Sequence, residues 1–170
     1  MADLTKLAGR YRLWIFDADG TLRRTTVPGQ PCPRQPDEWE LLPGVRRTLE
    51  DVPWNSPGGP WIGVASNQDQ VGGGIIAFAT ARRLLRDLML AAVGVSLPAT
   101  AIQLCPHELG VPCRCRKPGP AMIERIQAHY RVSAADTVVV GDQVPDRDAA
   151  TAAGAAFIEA DELFGWSQSA

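Results

Sequence analysis

Two aspartates, one residue apart, follow a short apolar run near the start of this sequence. Asp17 and Asp19 come after the apolar residues 13–16, and Gly20 and Thr21 then begin a turn. Because side chains at positions i and i+2 of an extended chain point to the same side, the two carboxylates are expected to converge where a strand ends. Close carboxylates repel each other unless a cation or a shared proton relieves them. The pattern suits attack on phosphorus coupled to proton transfer, although Asp and Gly are also common in simple turns.

Residue types that suit phosphate or metal binding occur at three later positions. Ser66 and Asn67 end a second apolar run, and a hydroxyl followed by an amide suits phosphate oxygens. Lys117 lies in a Cys-Arg-Lys-Pro sequence, and Asp142 ends a third apolar run, with Asp146 one helical turn later. Carboxylates are ligands for Mg²⁺. Taken singly, a Ser-Asn pair is an ordinary turn and a lysine is usually a surface charge.

Taken in this order, the four motifs resemble those of the haloacid dehalogenase-like phosphohydrolases. The resemblance implies that Asp17 is a nucleophile that forms an aspartyl-phosphate. It implies that Asp19 protonates the leaving group and then deprotonates the hydrolytic water. It also implies that the substrate is bound by Ser66, Asn67, Arg116 and Lys117.

The same resemblance implies a catalytic magnesium ion. Its ligands would be Asp17, the backbone carbonyl of Asp19, and Asp142. Asp146 would support these ligands without binding the ion itself. Mg²⁺ prefers octahedral oxygen ligation and keeps several water molecules, which fits a site with few protein ligands.

A second group of potential metal ligands lies just before Lys117. Cys105, His107, Cys113 and Cys115 fall within eleven residues, although the chain has only four cysteines and two histidines. A set of reduced, buried cysteines is the alternative, but it does not explain this clustering. Three cysteines and one histidine form a common closed tetrahedral zinc shell. The sequence therefore predicts a structural zinc ion that holds residues 105–115 together as a compact loop.

This Cys/His segment narrows the resemblance to subclass IIIA of the family. That subclass includes D-glycero-D-manno-heptose 1,7-bisphosphate 7-phosphatases and histidinol-phosphatase domains, and the resemblance runs from about Leu13 to Gly165. Two features depart from these relatives: Ala18 replaces the usual arginine, and residues 69–74 replace the usual Ser-Gly-Ile/Val and Arg-Gly pattern. The five-residue spacer between His107 and Cys113 favours the histidinol-phosphatase form, whereas the chain length favours the heptose enzyme. Both substrates therefore remain candidates.

Length and composition favour one domain spanning residues 1–170. The chain is 45% hydrophobic, enough for one core, and its net charge of −2 argues against nucleic acid as a partner. No apolar run reaches the ~18 residues of a membrane span, and residues 1–6 lack a secretion signal. Clustered, reduced cysteines favour a cytoplasmic setting. The enzyme is expected to be a monomer. Cys32 is expected to be a free thiol, and His129 a surface or helix-end residue.

Alternating apolar runs and helical segments predict a doubly wound, mostly parallel α/β sheet without a large cap domain. Strands are expected at residues 12–16, 61–65, 100–104, 137–140 and 155–158. Helices are expected at residues 44–51, within 76–93, after Pro120, and at 146–153. Residues 23–42 are expected to form an irregular flap over the site, and residues 53–60 an ordinary surface turn.

The function that these features favour is a Mg²⁺-dependent phosphomonoesterase acting on a small phosphorylated metabolite, such as heptose 1,7-bisphosphate. Histidinol phosphate is an alternative substrate. A polynucleotide 3′-phosphatase is a third possibility, because Arg23 and Arg24 follow the first motif and could contact a polymer. A catalytically silent binding module is disfavoured because the acidic and basic motif residues are intact. A phosphomutase is disfavoured because phosphoryl transfer without hydrolysis needs a closing cap.

Overall fold

A five-stranded parallel sheet lies at the centre of the protein in the computed structural model, which describes residue 4 and residues 8–166. The strands are β1 (Leu13–Phe16), β2 (Arg23–Thr25), β3 (Trp39–Leu41), β4 (Trp61–Asn67), β5 (Ile102–Cys105), β6 (Thr137–Gly141) and β7 (Ala156–Glu159). The sheet order is β5-β4-β1-β6-β7, whereas β2 and β3 form a separate antiparallel hairpin. This is the doubly wound arrangement that the sequence predicts.

Helices cover both faces of the sheet. They are α1 (Val45–Leu49), α2 (Asp69–Gly72), α3 (Phe78–Val93), α4 (Ala121–Tyr130), α5 (Val144–Ala152) and α6 (Ala160–Phe164), with 3₁₀ turns at Ala99–Ala101 and Ala134–Asp136. Buried side chains of α1, α3 and α6 belong to one apolar cluster, and those of α4 and α5 belong to a second. The two clusters lie on opposite faces, because each contains alternate residues of β1.

Strand β1 is buried on both faces of the sheet, which explains why its sequence is a continuous apolar run. Trp14 and Phe16 pack in the first cluster, whereas Leu13 and Ile15 pack in the second. All four side chains are 0% exposed. A parallel strand that is covered on both faces has apolar residues at every position, so its sequence is a continuous apolar run.

The register of the sheet places the motifs at one edge. Strand β1 pairs in parallel with β4 and with β6, so that Phe16 is opposite Val64 and Val140. The carboxyl ends of these three strands therefore meet, and the residues that follow them emerge together. Ligands of open α/β sheets bind at this edge.

Two loop predictions need correction. Residues 23–42 contain the β2–β3 hairpin, which the sequence did not indicate because its strands have only three residues each and include charged side chains. Residues 53–60 are more than a surface turn, since Trp54 is 2% exposed and packs edge-on against Trp14 and Phe16. Its indole Nε1 donates a hydrogen bond to the carbonyl oxygen of Leu49 at 2.8 Å.

The predicted helices lie within a few residues of those observed, and Gly154 follows α5 with φ +71°. The short helices α2 and α6 were not predicted, because four or five residues are too few for a helical periodicity. In the described part of the chain, no helix combines the length and hydropathy that crossing a bilayer would need. A single domain over residues 1–170 stays a prediction, and most of the residues 1–6 examined for a signal lie outside the described part.

Candidate active site

A cavity of about 730 Å³ opens at the carboxyl edge of the sheet. Its volume is typical of sites for small ligands. Most of the predicted site residues line it: Asp17, Asp19, Ser66, Asn67, Arg116, Lys117 and Asp146. The structure therefore brings together the motifs of β1, β4 and β6, as the strand order requires.

Lys117 lies deep in this cavity and is 5% exposed. Its Nζ is 2.6 Å from Asp17 Oδ1 and 2.5 Å from Asp146 Oδ1, and it donates to the carbonyl oxygen of Ala65 at 2.8 Å. Burial lowers the pKa of Lys117, but the two carboxylates more than offset this, so its pKa lies above the usual value. Burial raises the pKa of Asp17 to about 7 even though the Lys117 ammonium opposes the shift.

Three carboxylates form a compact cluster beside Lys117. Asp17, Asp142 and Asp146 each offer an oxygen atom within 4.8 Å of the others. Gly20 has φ +95°, and a Cβ atom there would lie 2.4 Å from Asp142 Oδ2, so a glycine is needed for this turn to pack against the cluster. Thr21 Oγ1 donates to Asp142 Oδ1 at 3.0 Å. Crowded carboxylate oxygens of this kind fit a hard cation such as Mg²⁺.

Asp19 lines the same cavity as Asp17, as the spacing predicts, and protein donors hold its carboxylate. Arg23 Nε lies 2.7 Å from Oδ1, and Gln68 Nε2 donates to Oδ2 at 2.8 Å. Gln68 Nε2 also lies 2.9 Å from the Oγ of Ser66, which is 1% exposed. The acid/base candidate and the phosphate-binding candidate therefore share one buried amide.

Arg23 does not lie at the surface, which corrects its suggested contact with a polymer. Its side chain is 0% exposed, pairs with Asp19 and donates to the carbonyl oxygen of Leu84 at 3.3 Å. Arg24 is exposed but pairs with Glu40 at 2.6 Å. A buried guanidinium that is already paired cannot bind the phosphates of a polymer, so the support that Arg23 gave to a polynucleotide substrate is lost.

Asn67 and Arg116 are engaged by protein partners at the cavity wall. Asn67 Nδ2 donates to the carbonyl oxygen of Lys117 at 3.2 Å, and the Lys117 N–H donates to Asn67 Oδ1 at 3.0 Å. Arg116 forms an ion pair with Asp69 and donates to the carbonyl oxygen of His107 at 3.2 Å. Asn67 thus clamps the Lys117 backbone, and its role in substrate binding stays a prediction.

The Cys/His segment folds into a cluster that is compatible with a metal ion. The Sγ of Cys105 is 3.2 Å from that of Cys115 and 3.8 Å from that of Cys113. His107 Nδ1 is 3.4 Å from Cys105 Sγ and 3.2 Å from Cys115 Sγ. A tetrahedral site with Zn–S bonds of about 2.3 Å has edges of roughly 3.8 Å, so the donor set and its spacing fit zinc.

Two residues outside the motifs are Cys32, predicted to be a free thiol, and His129, predicted to lie at the surface or a helix end. Cys32 is a free thiol that lines the cavity, and burial raises its pKa to about 12. It is therefore protonated at neutral pH and a weak nucleophile. His129 is exposed near the end of α4, where a ring nitrogen lies 2.9 Å from Thr100 Oγ1.

Buried glutamines at the site were missed by sequence reasoning. Gln68 and Gln70 are 1% and 8% exposed. Gln70 Nε2 donates to the carbonyl oxygen of Pro33 at 3.0 Å and to Gln68 Oε1 at 3.2 Å, which links the loop before β3 to Asp19. The position of Gln68 at the end of the second motif was the available signal for it. Nothing in the sequence distinguished Gln70 from a surface residue.

Known proteins resemble this chain over most of its length. The D-glycero-beta-D-manno-heptose-1,7-bisphosphate 7-phosphatase of Bordetella bronchiseptica is 31% identical over 148 residues, or 85% of this chain and 78% of that protein. The D-glycero-alpha-D-manno-heptose-1,7-bisphosphate 7-phosphatase of Mycobacterium bovis is 30% identical over 154 residues, or 87% of this chain and 78% of that protein.

A solved structure and a family model agree with these relatives. The crystal structure of D,D-heptose 1,7-bisphosphate phosphatase from B. bronchiseptica, complexed with magnesium and phosphate, superposes with a TM-score of 0.67 and 32% identity. It covers 86% of this chain, and this chain covers 78% of it. The sequence model of the HAD-hydrolase-like family matches residues 114–159. The chain therefore belongs to the haloacid dehalogenase-like phosphohydrolases.

Proposed function

We propose that this protein is a magnesium-dependent phosphomonoesterase that hydrolyses a small sugar phosphate through an aspartyl-phosphate on Asp17. The observation that carries the proposal is the buried Lys117 ammonium, which contacts Asp17 and Asp146 beside a cluster of three carboxylates. Relatives about 30% identical are named as heptose 1,7-bisphosphate 7-phosphatases, so this sugar bisphosphate is the first substrate to test.

In the first chemical step, an Asp17 oxygen forms a bond to phosphorus while the bond from phosphorus to the leaving oxygen breaks. Asp19 gives its proton to the leaving oxygen, which departs as an alcohol. Lys117 lies within hydrogen-bonding distance of Asp17 and offsets the negative charge of the nucleophile and the phosphoryl group.

In the second step, Asp19 takes a proton from a water molecule whose oxygen attacks the phosphorus of the aspartyl-phosphate. The bond from phosphorus to Asp17 breaks, and inorganic phosphate leaves. Asp19 ends protonated, as it began, so the two steps close a catalytic cycle.

The protein would bind two metal ions, a catalytic Mg²⁺ and a structural Zn²⁺. Asp17, Asp142 and the backbone carbonyl of Asp19 would hold Mg²⁺, which supplies positive charge for the phosphoryl oxygens. Asp146 would keep its ion pair with Lys117. Zn²⁺ would bind the four-residue cluster made by Cys105, His107, Cys113 and Cys115, as a closed structural site with no open position for substrate.

Histidinol phosphate is a second candidate substrate because of the charges on the cavity wall. Arg116 lines the cavity, but it is paired with Asp69, which lines it too. The family resemblance implies a serine at the start of residues 69–74, where this chain has Asp69. A carboxylate at this wall suits a substrate that carries an ammonium group better than one that carries a second phosphate.

The experiment that tests the function is phosphate release from a substrate panel at matched enzyme concentration. The panel is heptose 1,7-bisphosphate, histidinol phosphate, p-nitrophenyl phosphate and a 3′-phosphorylated oligonucleotide. We expect Mg²⁺-dependent release that EDTA abolishes and added Mg²⁺ restores, with a small metabolite turned over faster than the oligonucleotide. Release that is unaffected by EDTA, or absent with every substrate, would contradict the proposal.

Replacing Asp19 with asparagine is expected to slow phosphoryl transfer in a way that depends on the leaving group. General acid catalysis contributes about 10²–10⁴-fold, and p-nitrophenolate needs little protonation. Single-turnover rates should therefore fall by roughly 10²-fold or more for an alkyl phosphate and by much less for p-nitrophenyl phosphate. Equal losses for the two substrates would show that Asp19 is not the general acid.

Replacing Cys113 with serine is expected to lower the zinc content without unfolding the protein. The wild-type protein should contain about one zinc per chain. Because Lys117 follows the cluster by two residues, loosening the loop should also lower kcat. Metal analysis, thermal melting and kcat are measured together, and Cys32→Ser serves as the matched control because Cys32 lies outside the cluster and should keep the zinc. A Cys113→Ser protein with full zinc and full kcat would rule out the structural zinc site.

A further inference from the structure

Arg23 is the largest charged side chain that the structure buries completely, and the chemical steps above do not use it. It is the first residue of β2, four positions after Asp19. Its Nε lies 2.7 Å from Asp19 Oδ1 and its Nη2 lies 3.3 Å from Asp19 Oδ2, so the planar guanidinium engages both carboxylate oxygens. Such paired hydrogen bonds fix orientation as well as distance.

The guanidinium is itself held from two further sides. Its Nη1 donates to the carbonyl oxygen of Leu84 in α3 at 3.3 Å. The ring of Trp39 in β3 lies 5.9 Å from the guanidinium carbon. The backbone is tied as well, since the Arg23 N–H donates to the carbonyl oxygen of Ala18 at 3.0 Å and the Gly20 N–H donates to the Arg23 carbonyl oxygen at 2.9 Å. Arg23 is therefore a rigid support for Asp19.

Among the described residues, the donors around Asp19 leave one acceptor position for chemistry. Oδ2 accepts hydrogen bonds from Arg23 and from Gln68 Nε2, which fills its two lone pairs. Oδ1 accepts one hydrogen bond, from Arg23 Nε. The remaining lone pair, on Oδ1, is where a transferable proton can reside. The side chain of Asp19 is 18% exposed, whereas that of Arg23 is 0% exposed, so Asp19 can meet a substrate and Arg23 cannot.

From this geometry we propose that Arg23 is a positioning residue, which holds the Asp19 carboxylate so that Oδ1 exchanges a proton with the leaving group. The β2–β3 hairpin has the corresponding role of carrying Arg23 and its Trp39 support to the active site. The inference rests on the proposed function, because it requires Asp19 to be the general acid. It goes beyond that function by assigning the orientation of this acid to a residue that does not touch the substrate.

The test compares single-turnover rates for an alkyl phosphate and for p-nitrophenyl phosphate in Arg23→Lys. Lysine keeps the charge but lacks the planar pair of donors, so it cannot hold both oxygens in one orientation. We expect the ratio of the alkyl rate to the p-nitrophenyl rate to fall by at least ~10-fold, a part of the total acid contribution. Arg24→Lys is the matched control, since Arg24 is the exposed neighbour in the same strand and should leave the ratio unchanged. A purely structural role for Arg23 would lower both rates by the same factor and would overturn the inference.

A second variant covers the case in which Arg23→Lys does not fold. Trp39→Leu removes the aromatic support, and it breaks no side-chain hydrogen bond because Trp39 Nε1 has no partner among the described residues. We expect the same selective loss, a few-fold in size. An unchanged ratio in folded Trp39→Leu, when Arg23→Lys gives no folded protein, would overturn the inference.

The Asp19→Asn background separates failure of this inference from failure of the proposed function. If Arg23 acts through Asp19, adding Arg23→Lys to Asp19→Asn should not change the rate ratio further. Asp19→Asn that leaves the ratio unchanged would overturn the acid role in the proposed function, and with it the inference. Asp19→Asn that lowers the ratio, with Arg23→Lys that does not, would overturn the inference alone.

Discussion

Asp17→Asn is expected to lower kcat by at least ~10³-fold, in line with the loss of a member of a covalent catalytic unit. An amide has nearly the same shape as a carboxylate, but it lacks the charge needed to attack phosphorus and to bind Mg²⁺. The variant should fold, because Lys117 keeps Asp146 as an ion-pair partner at 2.5 Å. The measurement is steady-state kcat, together with trapping of a phosphorylated protein by acid quench in the wild type and in the variant.

Asp51→Asn is the matched control for this substitution. Asp51 is exposed and follows α1, and it does not line the active-site cavity. It should keep its rate and its trapped phosphoenzyme. If Asp17→Asn retained more than about a tenth of wild-type turnover, the covalent mechanism at Asp17 would be wrong.

Lys117→Met is expected to reduce both stability and activity. The side chains of Lys117 and Asp146 are each 4% exposed and that of Asp17 is 11% exposed, so the substitution removes the ammonium that both carboxylates contact. Removing one partner of a buried ion pair costs about 3–5 kcal/mol. We expect a loss of roughly 3 kcal/mol in the free energy of unfolding without metal, and a fall in kcat of about 10²-fold or more.

Urea denaturation with and without Mg²⁺ measures the stability change of Lys117→Met. Because a bound cation would replace part of the lost charge, Mg²⁺ should recover some of the stability, although kcat stays low. Arg83→Met removes an exposed cation from α3 and serves as the control, with an expected change near zero. A loss below ~1 kcal/mol in metal-free Lys117→Met would show that the ion pairs do not contribute to folding as described.

The sequence predicted those elements that are marked by a pattern within a few neighbouring residues. All five strands of the parallel sheet were found from their apolar runs, which are clearest in β1, β4 and β6, because these central strands are buried on both faces. The β2–β3 hairpin was missed because strands of three residues that carry Arg24 and Glu40 show neither an apolar run nor a clear alternation. Trp54 was missed because Gly and Pro around it indicate a turn, and only the packing against Trp14 shows that the turn is buried.

The sequence by itself determined which chemistry gathers at one edge of the sheet, since three of the four motifs end apolar strands and the carboxyl ends of parallel strands meet. It also determined the Cys/His cluster, whose four donors lie within eleven residues. Only the tertiary structure decided the partners, because contacts such as Lys117 with Asp17 join residues 100 positions apart. Burial of Arg23 was likewise decided by packing, since arginine is usually exposed and its pairing with Asp19 depends on α3 and the hairpin closing over it.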